Sequence, residues 1–209
     1  MPRAELLLLG AGGHAESCID VVEQTGAFVI SGLLGTPDEI GTSVLTYPVL
    51  DSDAQLVRWV QRVPNVLVAV GQIRSPELRM RLFNAARAAG AVLPTIVSPL
   101  AHVSPHATLG VGTIVMHGAI VNASARIGDN CIINSMALVE HGAQIGSDCH
   151  ISTGARLNSG VVVGQGTFVG SGAVVRQQAR VGSRCVVGLG QVVVGDVPDG
   201  TTVMVTRSW

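Results

Sequence analysis

The chain has 209 residues, enough for one or two domains with a sizeable buried core. Its 13 basic and 14 acidic residues nearly cancel, and no Lys/Arg block marks a nucleic-acid or membrane surface, so neither partner is expected. The only apolar run near the N-terminus, Leu6 to Leu9, is too short for a signal peptide or a membrane span, which predicts a cytoplasmic location.

Leu6 to Leu9 reads as a buried parallel strand, followed by Gly10-Ala11-Gly12-Gly13-His14 and a helix from about Ala15 to Gln24, closed by Gly26. The spacing of Gly10, Gly12 and Ala15 fits a dinucleotide-type turn, in which backbone amides at a helix N-terminus face a phosphate. Phe28 to Leu34 reads as the second strand. It ends on Gly35 rather than on the acid that would hold an NAD ribose, which argues against a dehydrogenase; Asp38 and Glu39 fall slightly too late, in a loop. A helix is predicted over Asp51 to Arg62 with Asp51 or Asp53 as its cap, then a strand over Asn65 to Val70 ending in Gly71-Gln72. Ser75-Pro76-Glu77 opens another helix, which runs to about Ala89 and stops at Gly90. Ala91 to Val97 reads as a fourth strand. This alternation predicts a Rossmann-like domain over 1–96, a small parallel sheet with helices on its faces. Its ligands would bind at the carboxyl ends of the strands: the loops at Gly10 to His14, Gly35 and Gly71 to Arg74.

From Val97 to Val193 an aliphatic residue recurs every six positions without a miss, and a small or apolar residue follows four positions after nearly every one. That period fits neither an amphipathic helix nor a long alternating strand; it is the signature of a hexapeptide β-helix, three hexads to a triangular coil. The second predicted domain, 97–209, is therefore all-β, with no insertion long enough to form a lid and at most one short strand after Pro198-Asp199-Gly200. Glycines at the second hexad position, such as Gly146 and Gly164, and at the fourth, such as Gly142, Gly154 and Gly172, read as corners needing unusual dihedrals. Cys131, Cys149 and Cys185 fall in one inward column and read as small buried hydrophobes rather than a disulfide or metal site.

The histidines are His14, His102, His106, His117, His141 and His150. Their spacing gathers no trio of ligands, so no metal is expected and a metal-dependent hydratase is disfavoured. His141 takes an outward corner position next to Glu140, where an imidazole can act as a general base near neutral pH or be an ordinary solvated corner residue.

The stretch Ile132 to His141, with Ile145-Gly146 and His150-Ile151-Ser152, resembles the active-site coil of a bacterial sugar acetyltransferase family of the hexapeptide-repeat superfamily. That family includes sialic acid O-acetyltransferases and N-acetyltransferases of nucleotide-linked amino sugars. Gly10-Ala11-Gly12-Gly13-His14 is similar to its N-terminal glycine motif and Val68-Ala69-Val70-Gly71 to its second loop, so the resemblance covers the whole chain. It implies a left-handed β-helix, although the usual crossover rule favours the opposite hand, and a homotrimer. It implies acetyl-CoA as co-substrate, with His141 as the base that deprotonates an amine or hydroxyl and a backbone amide on the oxyanion. Glu140, in a neighbouring outward position, supports that base only if its side chain turns the same way. Gly12, Gly13, His14, Gly71, Asn134 and His150 match the substrate site. Ser159, Gly170, Gly172, Gly188, Gly190 and Arg207 fall on the coenzyme track.

Within one subunit His141 and His150 lie half a coil apart, on opposite sides of the prism, so they share a site only across a subunit boundary. An intersubunit active site in a trimer is therefore expected.

Three departures from the family pattern stand out. Gly142 replaces an acid after the histidine, Gly35 replaces an acid after the second strand, and Thr206-Arg207-Ser208-Trp209 replaces a C-terminal glycine-proline-alanine element. In that tail Arg207 would reach a coenzyme phosphate and Trp209 would stack on adenine. The expected reaction is acetyl transfer to the amino group of a nucleotide-linked amino sugar, because an unprotonated amine asks less of a base lacking its acid than a hydroxyl does. The alternatives are O-acetylation of a sialic-acid-like or other sugar hydroxyl, and a non-catalytic trimer that binds nucleotide sugars.

Overall fold

The structure, a computed structural model, describes residues 3–204. Strand β1 (Ala4–Leu9) lies inside the sheet because its four leucines, Leu6 to Leu9, are covered on both faces. Helix α1 (Gly13–Thr25) follows and ends at Gly26, whose φ of 62° gives the left-handed cap that glycine adopts without strain. Strand β2 (Phe28–Gly35) pairs in parallel with β1.

The middle of this unit departs from expectation. Ser43–Val44 and Tyr47–Ser52 form strands β3 and β4, where no strand was read, and Asp51 lies in β4 rather than capping a helix. Tyr47-Pro48-Val49 carries a proline, which is tolerated here because Val49 makes the bonds toward β3 and the pairing of β4 with β2 begins only at Val49, so no ladder bond needs the missing N–H. Ser52 caps a 3-10 turn over Asp53–Gln55, its Oγ accepting from the Ala54 amide at 3.3 Å, and helix α2 shrinks to Leu56–Val60. Strand β5 (Asn65–Val68) flanks β1 on its other side, and α3 spans Glu77–Ala88. The sheet order is β3-β4-β2-β1-β5. Ala91 to Val97 does not supply a fourth parallel strand. Pro94 interrupts it, so Val92 makes a single bridge to Asn65 and Ile96–Val97 joins the first coil of the repeat instead.

Beyond that point the chain stacks two-residue strands into three parallel sheets, each residue pairing with its equivalent one coil later: Ile120 with Leu138, Leu138 with Arg156, Arg156 with Val174. The aliphatic and small positions fill the interior, with Val121, Val139, Leu157 and Val175 in one column and the free thiols of Cys131, Cys149 and Cys185 in another.

The two kinds of glycine work differently. Fourth-position corners are left-handed, as at Gly142 (φ 68°) and Gly172 (φ 67°), and six polar or flexible residues, Asn130 and Met136 among them, adopt the same conformation there. Second-position glycines need no unusual dihedral. They are glycine because coils approach closely: a Cβ on Gly146 would sit 2.7 Å from the Gln165 amide nitrogen.

Sheet and coil share a core. Ile96, Ile114, Met116 and Ile132, on the outer face of one β-helix side, pack with Ala15, Cys18, Ile19 and Val22 of α1. That fixes the carboxyl ends of the sheet strands against the coils. No helix among the described residues is long and apolar enough to cross a membrane.

Candidate active site

A cavity of about 960 Å³ opens where the strand ends meet the coil face. It is lined by Gly12, Gly13 and His14 at the start of α1, by Gly71 and Gln72, by Glu39, Asp53, Arg74 and Arg81, and by Asn134, His150, Ser152 and Phe168 from the coils. Gly170 and Gly188 close its far edge.

One end is built for an anion. No side chain caps α1 at Gly12, and added Cβ atoms at Gly12 and Gly13 would meet nothing within 4 Å. First-turn amides at such an opening favour negative charge. Gly10 shapes the turn: its φ is 110°, and a side chain there would run into Val70.

A carboxylate stands beside that turn. Sequence spacing puts Glu39 too far along to matter, but a capping box at Thr36 folds it back. Glu39 Oε2 accepts from the Thr36 amide at 2.7 Å and the Thr36 hydroxyl at 2.9 Å, lying 2.6 Å from where a Cβ of Gly35 would be. The missing side chain at Gly35 is what makes room for Glu39.

The other end is neutral. His150 donates from Nδ1 to the Gln72 carbonyl at 2.6 Å, so its Nε2 accepts from Asn134 Nδ2 at 3.1 Å. Asn134 is itself fixed by Oδ1, which accepts the Ser135 amide at 2.8 Å. His14 lies beside His150 with ring centroids 6.3 Å apart, its Nε2 buried without a partner, and Phe168 meets His150 edge-on at 5.2 Å. Burial, the Arg79 guanidinium and His150 push His14 down to about 3; burial is also the main cause that brings His150 down to about 4, with Arg79 adding to it. Both rings are therefore uncharged near pH 7.

Arg79 of α3, for which sequence reasoning found no signal, is the buried cation behind them. Nη1 donates to the Val68 and Val70 carbonyls, each at 2.8 Å, and Nε to the Asn130 carbonyl at 3.1 Å. It thereby ties the end of β5 to the coils. Gln72 adds a second tie through Nε2 to the Gly166 carbonyl at 3.2 Å.

His141 is elsewhere. It stands on the corner after Leu138–Val139 with a side chain 69% exposed, and neither it, Glu140, Ser159, Gly172 nor Gly190 lines the cavity. Spacing left open whether Glu140 turns toward His141, and it does: Oε2 accepts from His141 Nδ1 at 3.3 Å and from the His141 amide at 3.2 Å. That backbone hydrogen bond is the main cause holding the Glu140 carboxyl below its usual range. Ser159, expected on the coenzyme track, places Oγ 3.4 Å from the same His141 Nδ1. Arg207 and Trp209 lie outside the described residues.

A Ser-His-Asp chain also exists. His117 Nε2 donates to Asp20 Oδ2 at 2.9 Å, and Ser98 Oγ donates to Nδ1 at 2.6 Å. Ser98 is 1% exposed and outside the cavity, so this chain fastens α1 to the first coils rather than attacking a substrate. Among the described residues no group of three or more His, Cys, Asp or Glu is placed to hold a metal ion.

A Rossmann-like sheet with an uncapped glycine turn, opening onto a hexapeptide β-helix, defines a hexapeptide-repeat acyltransferase. Two family models agree: the PglD N-terminal domain matches residues 5–86, and the bacterial transferase hexapeptide (six repeats) matches 124–159. The structure is similar to that of a perosamine N-acetyltransferase variant from Caulobacter crescentus, in complex with CoA and GDP-perosamine, at 34% identity and a TM-score of 0.90, over 95% of this chain and 92% of that one. The acetyltransferase domain of PglB from Neisseria gonorrhoeae, in complex with acetyl coenzyme A, is 33% identical with a TM-score of 0.88, over 96% of both chains. WeeI from Acinetobacter baumannii, at 21% identity and a TM-score of 0.82, shares the fold. No curated protein matches the sequence. The chain belongs to the bacterial sugar acetyltransferase family of the hexapeptide-repeat superfamily, and its β-helix is left-handed as the family's is.

Proposed function

We propose that the protein transfers the acetyl group of acetyl-CoA to the amino group of a nucleotide-linked amino sugar, with His141 of one subunit acting on substrate held in the cavity of its neighbour. The observation that carries this reading is the separation inside one chain: a cavity graded from an anion-binding turn to neutral imidazoles, and an exposed imidazole on a different corner. The pyrophosphate would take the α1 amides near Gly12 and Gly13, and the sugar would reach His14, Asn134 and His150. Neutral rings suit hydroxyl and amine hydrogen bonds and add no charge to desolvate. Glu39 would receive ribose or base donors from the nucleoside. The acyl carrier would lie along the coils past Gly170 and Gly188. A trimer then completes each site.

In the reaction the neutral amine attacks the thioester carbonyl carbon, and a C–N bond forms. His141 Nε2 takes the proton that the nitrogen loses, the C–S bond breaks, and the coenzyme thiolate takes that proton to leave as thiol. Because Glu140 does hold His141, the lack of an acid at Gly142 no longer separates an amine from a hydroxyl. The preference for an amine is supported by the relatives that carry CoA with an amino-sugar nucleotide.

The test is thiol release from acetyl-CoA over a panel of nucleotide amino sugars and their hydroxyl counterparts. Turnover with an amino sugar, lost in His141→Ala, is expected. Turnover unaffected by that substitution, or turnover of hydroxyl substrates alone, overturns the reading.

A further inference from the structure

We propose that Asn122 and Glu140, stacked on successive coils, act as a positioning pair that keeps the proton of His141 on Nδ1 and its Nε2 free as the base. This rests on the reading of His141 above and extends it to a residue outside that reading. The pair does the work for which the family pattern uses an acid at the place of Gly142.

The geometry is specific. Asn122 Nδ2 donates to Glu140 Oε2 at 3.0 Å across one coil, and that oxygen also receives the His141 amide and Nδ1. A carboxylate oxygen only accepts, so a neutral imidazole meeting it presents N–H at Nδ1. Ser159 Oγ approaches the same nitrogen from the next coil at 3.4 Å, and a hydroxyl can donate as well as accept. Were Glu140 to swing away, Ser159 could donate to an unprotonated Nδ1 and move the proton to Nε2, where it blocks the base. Asn122 prevents that swing. Its amide and the backbone N–H of His141 grip one carboxylate oxygen from two directions, and the Glu140 side chain is only 28% exposed. Gly142 cannot contribute, because it has no side chain and occupies a left-handed corner with φ of 68°.

The test uses the full-length protein and reads the tautomer directly. Nitrogen-15 spectra of the His141 ring, assigned by its loss in His141→Ala and taken at about pH 8.5 where an ordinary imidazole is neutral, should show Nδ1–H in the wild type. Asn122→Ala and Glu140→Ala should each shift the population toward Nε2–H. Both should lower kcat about tenfold with KM unchanged, a part of the hundredfold or more that a placed base supplies. Melting temperatures of the variants check that the coils remain folded. If Asn122→Ala leaves the tautomer and kcat as in the wild type, the positioning pair is wrong. If the tautomer shifts but His141→Ala leaves turnover intact, the pair stands and the base assignment fails.

Discussion

Acidification from about pH 8 to about pH 5 should destabilise this protein through His14 and His150. Folding lowers His14 from 6.5 to about 3 and His150 from 6.5 to about 4, chiefly by burial. Both shifts are downward, so the unfolded chain takes up protons first as pH falls. The native state keeps its full advantage above about pH 6.5 and loses it progressively below, down to the folded values. Each group withdraws about 1.4 kcal/mol per pH unit inside that window. At pH 5 each has withdrawn roughly 2 kcal/mol, and the pair roughly 4 kcal/mol. The carboxyls of Asp20 and Glu140 are held below their usual range, so their contribution is lost only at lower pH and does not overlap. With a urea dependence of about 2–3 kcal/mol per molar, the midpoint should fall by roughly 1–2 M. The assay is urea unfolding at both pH values with protein concentration held constant, since assembly shifts apparent stability. His14→Phe removes one titration without breaking a hydrogen bond, because His14 Nε2 has none, and should reduce the fall by about half. Equal midpoints at the two pH values in the wild type would show that the imidazoles titrate normally and refute the account of the neutral end of the cavity.

Four other substitutions have expected outcomes. Arg79→Met leaves the Val68, Val70 and Asn130 carbonyls without their donor and should cost roughly 3–5 kcal/mol in urea unfolding, while both buried histidines titrate at higher pH by proton NMR. Gly146→Ala should cost about 1–3 kcal/mol by overpacking against the next coil. Gly154→Ala, with open space but a φ of 65°, should cost about 1 kcal/mol; equal melting temperatures for the two variants would refute the distinction between close approach and corner strain. Glu39→Gln should weaken nucleoside diphosphate binding at least tenfold by calorimetry, in line with about 1.5–3 kcal/mol for a hydrogen bond to a charged group, and an unchanged affinity would remove Glu39 from the ligand site.

The repeat was legible in the sequence down to individual residues because every coil poses the same local problem. An aliphatic position, a small position and a corner recur whatever the neighbouring coil contains, and the thiols of Cys131, Cys149 and Cys185 fell where that rule put them. The glycine turn at Gly10 to His14 and helices α1 and α3 were equally local, carried by caps and spacing. Strand β4 was hidden: Asp51 read as a helix cap, and its proline is acceptable only because it precedes the first residue paired with β2.

Which side chains meet was a different matter. The chain could announce that His14, Asn134 and His150 carry polar chemistry, but the uncharged state of both imidazoles follows from burial and from Arg79, brought in on α3. Glu39 reaches the end of β2 only because the turn at Thr36 folds back over Gly35, and the carboxylate of Glu140 that meets His141 also accepts from Asn122, one coil away. Sequence periodicity determined the β-helix because its rule acts between residues six and eighteen apart, a spacing visible in one dimension. The electrostatics and orientation of the candidate site depend on groups joined by packing alone, so the tertiary structure decided them.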